Sequence, residues 1–340
     1  MPFSAIAGHR PVLDLLSRAV ARGTLPPSLV FAGPGGVGKR LTAVALAQAL
    51  NCHASDIGEP MSPGKDACGT CASCTRIARG VHADVLVIQP GDTGTIKVDQ
   101  VRDAIDRTAY RPFEGRRRVV IVDEADALLS EAQNALLKTL EEPPPASVFV
   151  LVTARPDMLL PTVRSRCHRL RFGPLAAADV AAILIRDHGF AETDARAAAA
   201  AAASDGSVGR ALDEDAGEVI EARDAAARLL KAAAITTDPR RRLDGAKAIL
   251  AGISPDDLRD ELSRRLLAVS ALLRDIGLLH AQGGEDALAN TDLVADLRTL
   301  QRHFDAGRTL DAFAAVDRGL SALDRNASPK IVADWVALQV

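Results

Sequence analysis

A glycine-rich stretch near the N-terminus has the residue types and the spacing that bind phosphate. It reads GPGGVGK and lies between an apolar run typical of a strand and an alanine-rich segment typical of a helix. Glycines in such a loop let backbone N–H groups face a phosphate at a helix N-terminus, and a lysine adds a positive charge. The candidate phosphate-binding residues are Gly33, Gly35, Gly36, Gly38 and Lys39.

The residue that follows this loop departs from the usual pattern. Such loops continue with a serine or threonine whose hydroxyl binds the magnesium ion that accompanies ATP. Arg40 stands in that place, and Thr42 cannot replace the hydroxyl because it projects from another side of the predicted helix. ATP with magnesium stays a candidate ligand, and the sequence favours nucleotide binding over hydrolysis.

Two acids follow another apolar run. Val119 to Val122 is typical of a buried strand, and Asp123 and Glu124 come directly after it. An acid at the end of such a strand can reach a magnesium ion beside the phosphate loop, and the next acid can polarise an attacking water. The alternative is an acidic helix N-terminus favoured by the helix dipole. The phosphate loop upstream favours the nucleotide-site interpretation.

Four of the five cysteines have the spacing of a metal site. Cys52, Cys68, Cys71 and Cys74 form C-x15-C-x2-C-x2-C, in which each short step lets both sulfurs reach one ion. Four thiolates suit tetrahedral zinc and leave no position for water, so the predicted zinc is structural. The alternative is a set of reduced cysteines without a metal.

Composition narrows the class of protein. The chain has 340 residues, a formal net charge of -3 and 48% hydrophobic residues, which is ordinary for a globular protein and argues against a protein that coats nucleic acid. The N-terminus lacks the pattern of a signal peptide, and no apolar run has the length that spans a membrane. We therefore expect a cytoplasmic protein with no membrane partner, in which disulfides do not form.

The order of apolar patterns predicts three domains. Strand-like runs alternate with helical segments up to about residue 174, which predicts an α/β domain with a parallel five-stranded sheet and helices on both faces. The cysteines lie in an insertion at 51–80. Alanine-rich helical patterns then predict a small helical lid domain at 175–212 and an all-α collar domain at 213–340. We also expect one helix from Ala125 to Glu142, and a solvated edge at the arginine triplet 116–118.

Several longer motifs together resemble the clamp-loader branch of the AAA+ ATPases. They are the phosphate loop, VIVDEAD at 120–126, NALLKTLEEP at 134–143, the Ser-Arg-Cys element at 165–167 and the N-terminal box at 3–8. The resemblance covers residues 1 to about 175 well. DEAD-type helicases share the acidic box but lack NALLKTLEEP and Ser-Arg-Cys, so that alternative is rejected.

Within this family, three departures resemble the non-hydrolysing delta-prime type of bacterial subunit. Arg40 replaces the hydroxyl, the stretch that begins at Thr153 lacks the expected Thr-Thr-Asp pattern, and Gly209 stands where a motor subunit has a sensing arginine. The resemblance implies that Thr153 adjoins the nucleotide and that Glu124 is a vestigial catalytic residue. Arg166 would be an arginine finger for a neighbouring subunit. Read alone, such an arginine is usually solvated or salt-bridged.

The resemblance also implies partners. A subunit of this type would join gamma/tau and delta subunits in a hetero-pentameric ring of DNA polymerase III, which loads the sliding clamp on primer–template DNA. The alternatives are an ATP-hydrolysing gamma/tau-like motor subunit or another AAA+ ATPase. A zinc-dependent nucleic-acid-binding module with a vestigial nucleotide fold is a third class.

Overall fold

The chain divides into two compact units, Met1–Pro174 and Leu175–Val340. The computed structural model describes residues 2–54, 66–91, 93–191, 195–213, 216–236, 238–255 and 257–340. Residues 55–65 of the predicted cysteine insertion lie outside the described residues, as do residues 214–215 beside the predicted boundary of the lid and collar domains. The division of the second unit into those two domains stays a prediction.

The first unit is built on a parallel sheet. Its described strands are β1 (Ser28–Ala32), β2 (Val85–Ile88), β3 (Arg118–Val122), β4 (Ser147–Thr153) and β5 (His168–Arg171). They are hydrogen-bonded in the order β2-β3-β4-β1-β5, and every pair is parallel. Because all five strands run the same way, their carboxyl ends lie at one edge. The predicted parallel five-stranded sheet is confirmed.

Helices cover both faces of this sheet. The described helices of the unit are α1 (Arg10–Ala21), α2 (Lys39–Asn51), α3 (Ala72–Ala78), α4 (Val98–Thr108), α5 (Ser130–Glu141) and α6 (Pro161–Arg164). Successive strand side chains point to opposite faces. Phe31 therefore packs with α1 and α2, while its neighbour Val30 packs with α4, α5 and α6.

Two local predictions are wrong. The helix expected from Ala125 begins only at Ser130, because Ala125–Ala127 form a single 3-10 turn and Leu128 and Leu129 are extended. Backbone hydrogen bonds between Ile96 and this extended segment compete with the helix. The arginine triplet is not a solvated edge throughout, since Arg118 begins β3 and is 7% exposed.

The secondary structure described for the second unit is helical. Its helices are α7 (Ala177–His188), α8 (Ala195–Ala203), α9 (Val208–Asp213), α10 (Ala216–Ile235), α11 (Pro239–Leu250), α12 (Leu258–His280), α13 (Val294–Gln301), α14 (Ala306–Asp324) and α15 (Pro329–Gln339). One apolar cluster joins α7, α8 and α9, and a larger one joins α10 to α15. The long helix α12 places Leu262, Leu266 and Val269 in the larger core.

Among the described residues, no helix combines the length and the apolar character needed to cross a membrane.

Candidate functional site

The phosphate loop lies where the sequence predicts it, at the carboxyl edge of the sheet between β1 and α2. Gly38 directly precedes α2 with φ of 95°, a conformation that favours glycine. A side chain at Gly33 would place its Cβ 2.1 Å from the carbonyl oxygen of Phe172, so only glycine fits there. Gly35 and Gly36 form the turn between these two positions.

Lys39 is the first residue of α2, and its side chain contacts the backbone of the glycine-rich loop. Its Nζ donates hydrogen bonds to the carbonyl oxygens of Gly33, at 2.8 Å, and of Pro34. Lys39 is only 6% exposed. Burial lowers the pKa of its ammonium group, although the charges of Asp123 and Asp126 oppose that shift. Lys39 therefore faces the loop interior with two acids close by.

Arg40 contacts the acid that was expected to reach magnesium. Its Nη1 lies 3.3 Å from Oδ2 of Asp123, which is 9% exposed, while the Arg40 side chain is 51% exposed. Gln89, just after β2, completes the contact. With its amide oxygen toward Arg40, that oxygen accepts hydrogen bonds from Nη1 and from Nη2, the latter at 3.3 Å. The arginine that replaces the hydroxyl thus pairs with Asp123.

A second set of contacts holds Thr153 at the end of β4. The Thr153 hydroxyl donates to Oδ1 of Asp126 at 2.8 Å, and Nε of Arg155 donates to Oδ2 of the same carboxylate at 2.9 Å. Burial raises the pKa of Asp126, but these hydrogen bonds outweigh it and leave the pKa below its ordinary value. The hydrogen of the Thr153 hydroxyl is therefore directed at a carboxylate. We call Lys39, Arg40, Asp123, Asp126 and Thr153 the nucleotide edge.

Magnesium does not fit the nucleotide edge as it stands. Mg²⁺ needs oxygen ligands in a near-ideal octahedron and usually takes one or two carboxylates. Arg40 supplies no oxygen and lies against one oxygen of Asp123, while Asp126 is committed to Thr153 and Arg155. The edge retains the lysine, the glycines and the acid of a nucleotide site, without an open metal position.

The two predicted catalytic residues are Glu124, beside the nucleotide edge, and Arg166, after α6. Glu124 is exposed and has φ of 50°, so the chain turns sharply directly after Asp123. Arg166 follows α6, where its Nε donates to Oε1 of Glu141 at 2.6 Å and its Nη1 to the carbonyl oxygen of Thr162 at 2.9 Å.

The four predicted cysteine ligands come together. Their Sγ atoms all lie within 4.8 Å of one another, and the cluster could hold a metal ion such as zinc. Zinc bonds of about 2.3 Å in a tetrahedron place sulfurs about 3.8 Å apart, and the Sγ atoms of Cys52 and Cys68 are 3.6 Å apart. Cys52 follows the last residue of α2, and Cys71 and Cys74 lie at the start of α3. We call these four residues the cysteine cluster.

Backbone amides stabilise thiolates in this cluster. The N–H of Cys68 donates to Sγ of Cys52 and the N–H of Cys71 to Sγ of Cys68, at 3.4 and 3.3 Å. The second contact is the main reason that the pKa of Cys68 falls to about 6. Burial instead raises the pKa of Cys74. Four sulfur donors, an amide-stabilised thiolate and close to tetrahedral spacing fit zinc.

Sequence reasoning missed the buried ion pair that supports this region. Nη2 of Arg118 donates to Oδ1 of Asp84 at 2.7 Å, and the backbone N–H groups of Phe113, Glu114 and Gly115 also donate to the Asp84 carboxylate. These hydrogen bonds outweigh burial and lower the pKa of Asp84 to about 2. The signal was an acid directly before one buried strand and an arginine at the start of its neighbour.

Buried side chains of α2 connect the segment at 113–117 with the cysteine cluster. Asn51 Oδ1 accepts hydrogen bonds from the backbone N–H groups of Arg116 and Arg117. The amide nitrogen of Gln48 donates to the carbonyl oxygen of Cys74 at 2.7 Å. The cluster is therefore anchored to the sheet through α2.

Comparison with known proteins gives the family. Residues 8–176 match the family model described as "DNA polymerase III, delta subunit". This part of the chain belongs to the clamp-loader family. The matched part contains the nucleotide edge and the cysteine cluster.

Named relatives of the clamp-loader domain include two subunit types. DNA polymerase III subunit gamma/tau of Mycobacterium tuberculosis is 36% identical over 184 residues, which are 54% of this chain and 31% of the relative. DNA polymerase III subunit delta' of Pseudomonas aeruginosa is 41% identical over 136 residues, which are 40% of this chain and 39% of the relative. The chain thus spans about a third of the length of these relatives.

The chain is also weakly similar to a solved structure. The crystal structure of a DNA polymerase III gamma subunit-related protein from Thermotoga maritima has a TM-score of 0.36 and 17% identity, with 95% of this chain and 96% of that chain covered.

Proposed function

We propose that this chain is the delta-prime type of clamp-loader subunit, a largely non-hydrolysing member of the DNA polymerase III ring. The observation that carries the proposal is the contact between Arg40 and Asp123, because it fills the place where a hydrolysing subunit holds magnesium. The hydroxyl of Thr153 donates its hydrogen bond to Asp126, so it would not donate to a phosphate in this arrangement. The magnesium ligand and the phosphate-sensing group would both be missing, so the rate of ATP hydrolysis should fall more than the affinity for nucleotide.

In this proposal Arg166 acts on the nucleotide of a neighbouring subunit. Its side chain is 33% exposed, and its guanidinium is held by Glu141 and by the carbonyl oxygen of Thr162. The guanidinium would exchange these contacts for a partner's phosphate. A guanidinium binds phosphate oxygens through two parallel N–H groups and stabilises charge that develops during transfer. Glu141 holds that place in the isolated chain and would give way to a phosphate in the ring.

The partners follow from the same role. The chain would assemble with gamma/tau and delta subunits in a five-membered ring and help to load the sliding clamp on primer–template DNA. Zinc at the cysteine cluster would hold the start of α3 against α2 without taking part in chemistry.

Reconstitution with candidate gamma/tau and delta subunits tests the proposal. Arg166→Ala should lower ATP turnover at one site of the complex by about 10²- to 10³-fold and leave the chain folded. Arg164→Ala is the matched control, because Arg164 lies two residues away and pairs with the exposed Asp157 on its own unit. Unchanged turnover at every site of a complete complex would contradict the finger role.

A second candidate function is a hydrolysing motor subunit of the gamma/tau type, since the glycines, Lys39, Asp123 and Glu124 are all present. The isolated chain distinguishes the two. Magnesium-dependent turnover of about one ATP per second, which is within the ordinary range of enzymes, would favour the motor if Lys39→Ala abolished it. The delta-prime role predicts turnover far below that rate.

A further inference from the structure

Arg40 does more at the nucleotide edge than remove a magnesium ligand. Its guanidinium lies on Asp123 and on the amide of Gln89, at the carboxyl ends of neighbouring strands. We propose that Arg40 takes the place of the magnesium ion, so that the nucleotide edge binds nucleoside di- and triphosphates without a divalent metal. This inference concerns ligand binding by the chain itself and holds whether or not the ring role does.

The position of the charge supports this assignment. In a site with a serine or threonine, the ion lies between that hydroxyl, the strand-end acid and the phosphates. Arg40 starts from the position of the hydroxyl and its Nη1 reaches Asp123, at 3.3 Å. A positive charge therefore already lies between the start of α2 and the acid, where the ion would lie.

The chemistry of the guanidinium supports a phosphate ligand. Arginine keeps its charge at every relevant pH and carries five N–H donors in a planar fork that matches phosphate oxygens. Asp123 and Gln89 accept some of the hydrogen bonds that the Arg40 guanidinium can donate. The Arg40 side chain is 51% exposed, so other N–H groups of the guanidinium remain for an anion. Lys39 provides a second cation one residue away.

Charge balance disfavours a metal in addition to Arg40. The two neighbouring cations Lys39 and Arg40 face Asp123, and Asp126 is already paired with Arg155. A magnesium ion would have to displace Arg40 from Asp123 and would then lie beside two positive side chains, which repel it. A phosphate needs no such displacement, because it adds negative charge beside both cations.

Binding requires one exchange at the loop. Nζ of Lys39 must leave the carbonyl oxygens of Gly33 and Pro34 and turn to the phosphate. The new contact is charge-assisted and replaces bonds to neutral carbonyls, so the exchange favours the bound state. The backbone N–H groups at the start of α2 then face the same phosphate.

Titration of the intact chain with ATP and with ADP, each with magnesium and with EDTA, tests the inference, provided that the zinc content and the melting temperature are measured in both buffers. Isothermal titration calorimetry should give dissociation constants in EDTA that are equal to those in magnesium within about twofold, or tighter, since a factor of two is only about 0.4 kcal/mol. Binding that needs magnesium would overturn the proposal. So would an absence of heat with both nucleotides up to about 1 mM, the range of weak binding.

Two substitutions separate a resident arginine from a metal. Arg40→Thr removes the guanidinium, so it should weaken nucleotide binding in EDTA by about tenfold or more, the usual effect of a lost charge-assisted hydrogen bond. Because threonine supplies the hydroxyl that binds magnesium, added magnesium should restore the affinity. Asp123→Asn should leave binding in EDTA unchanged or tighter, because Arg40 no longer shares its charge with a carboxylate. A magnesium site would respond in the opposite way to both substitutions.

A matched control measures how much the loss of any one positive charge changes the dissociation constant for nucleotide. Arg102→Thr removes the same charge from an exposed position on α4 and should change the dissociation constant by less than about twofold. Circular dichroism checks that Arg40→Thr is folded, which its half-exposed position predicts. If Arg40→Thr binds in EDTA as the unaltered chain does, Arg40 has no part in the site.

Discussion

The nucleotide edge and the cysteine cluster lie at opposite ends of α2 and differ in how their side chains are satisfied. At the edge, cations already lie on carboxylates, as Arg40 on Asp123 and Arg155 on Asp126. At the cluster, four sulfurs converge and their hydrogen-bond donors include backbone amides. Four thiolates need a cation from outside, whereas the edge carries its own. The difference predicts that metal ions matter greatly at one end of the helix and little at the other.

The largest effect should come from breaking the cysteine cluster. Cys74→Ser removes a fully buried ligand and should lower zinc affinity by about 10²-fold or more, because the binding free energy of a structural site is shared among four ligands. Zinc content after dialysis and the melting temperature with and without a chelator measure the loss. A chain that binds no zinc, or melts identically with chelator, would contradict the assignment.

Cys167→Ser is the control for that experiment. Cys167 packs beside the core of the other sheet face, away from the cluster, and burial raises the pKa of its thiol to about 11. Its replacement should leave one zinc ion per chain. ATP binding in EDTA should also survive Cys74→Ser if the edge needs no metal.

A smaller effect is expected from Asp84, whose charge holds the loop beside the cluster. Its folded pKa of about 2 lies below the ordinary value of 3.8, so its contribution is complete above about pH 4 and is lost as the pH falls towards 2. The shift corresponds to about 2 kcal/mol at neutral pH. Asp84→Asn also leaves Arg118 buried without its charge partner and should cost about 3 kcal/mol.

Hydrogen exchange in the 109–118 segment measures this loss locally, because three of its amides donate to Asp84. Protection should fall in Asp84→Asn at pH 6, and the difference from the unaltered chain should shrink as the pH approaches 2. Asp157→Asn, at an exposed position, is the control. A difference that stays constant between pH 6 and 2 would show that ionisation of Asp84 is not the cause.

The smallest effect concerns the ion pair between Arg166 and Glu141. Exposed pairs contribute about 0–1 kcal/mol, so Glu141→Gln should release Arg166 at little cost in stability. In the reconstituted complex, ATP turnover should rise by up to about threefold, which is below 1 kcal/mol. A large decrease would mean that Glu141 positions the finger rather than competing for it.

Local patterns predicted much of this structure. Four of the five strands follow from short apolar runs bounded by turn residues, whereas β5 has one apolar residue, Leu170. The cysteine ligands follow from spacing, since residues three apart can reach one ion. The glycines of the phosphate loop also follow from spacing. Each of these features is decided within a few residues of chain.

Contacts between distant residues were not predictable in the same way. Arg40 follows β1 and Asp123 follows β3, and these strands come close only because both pair with β4 in the sheet. Arg118 meets Asp84 across the pair β2 and β3. The acids after β3 suggested a helix start, yet pairing with Ile96 keeps Leu128 extended. In this last case, tertiary hydrogen bonds override the local preference for a helix.

The helix α2 also fixes what insertions the chain can accept. It runs from Lys39 to Asn51, about 18 Å, with the phosphate loop before it and Cys52 directly after it. One added residue would rotate Cys52 by about 100° relative to Lys39, and four would move it by about 6 Å along the axis. Either change takes a sulfur out of reach of its three partners or turns the loop away from the sheet. Insertions should therefore be tolerated outside α2, for example in the connection between Cys52 and Cys68, and not within the helix.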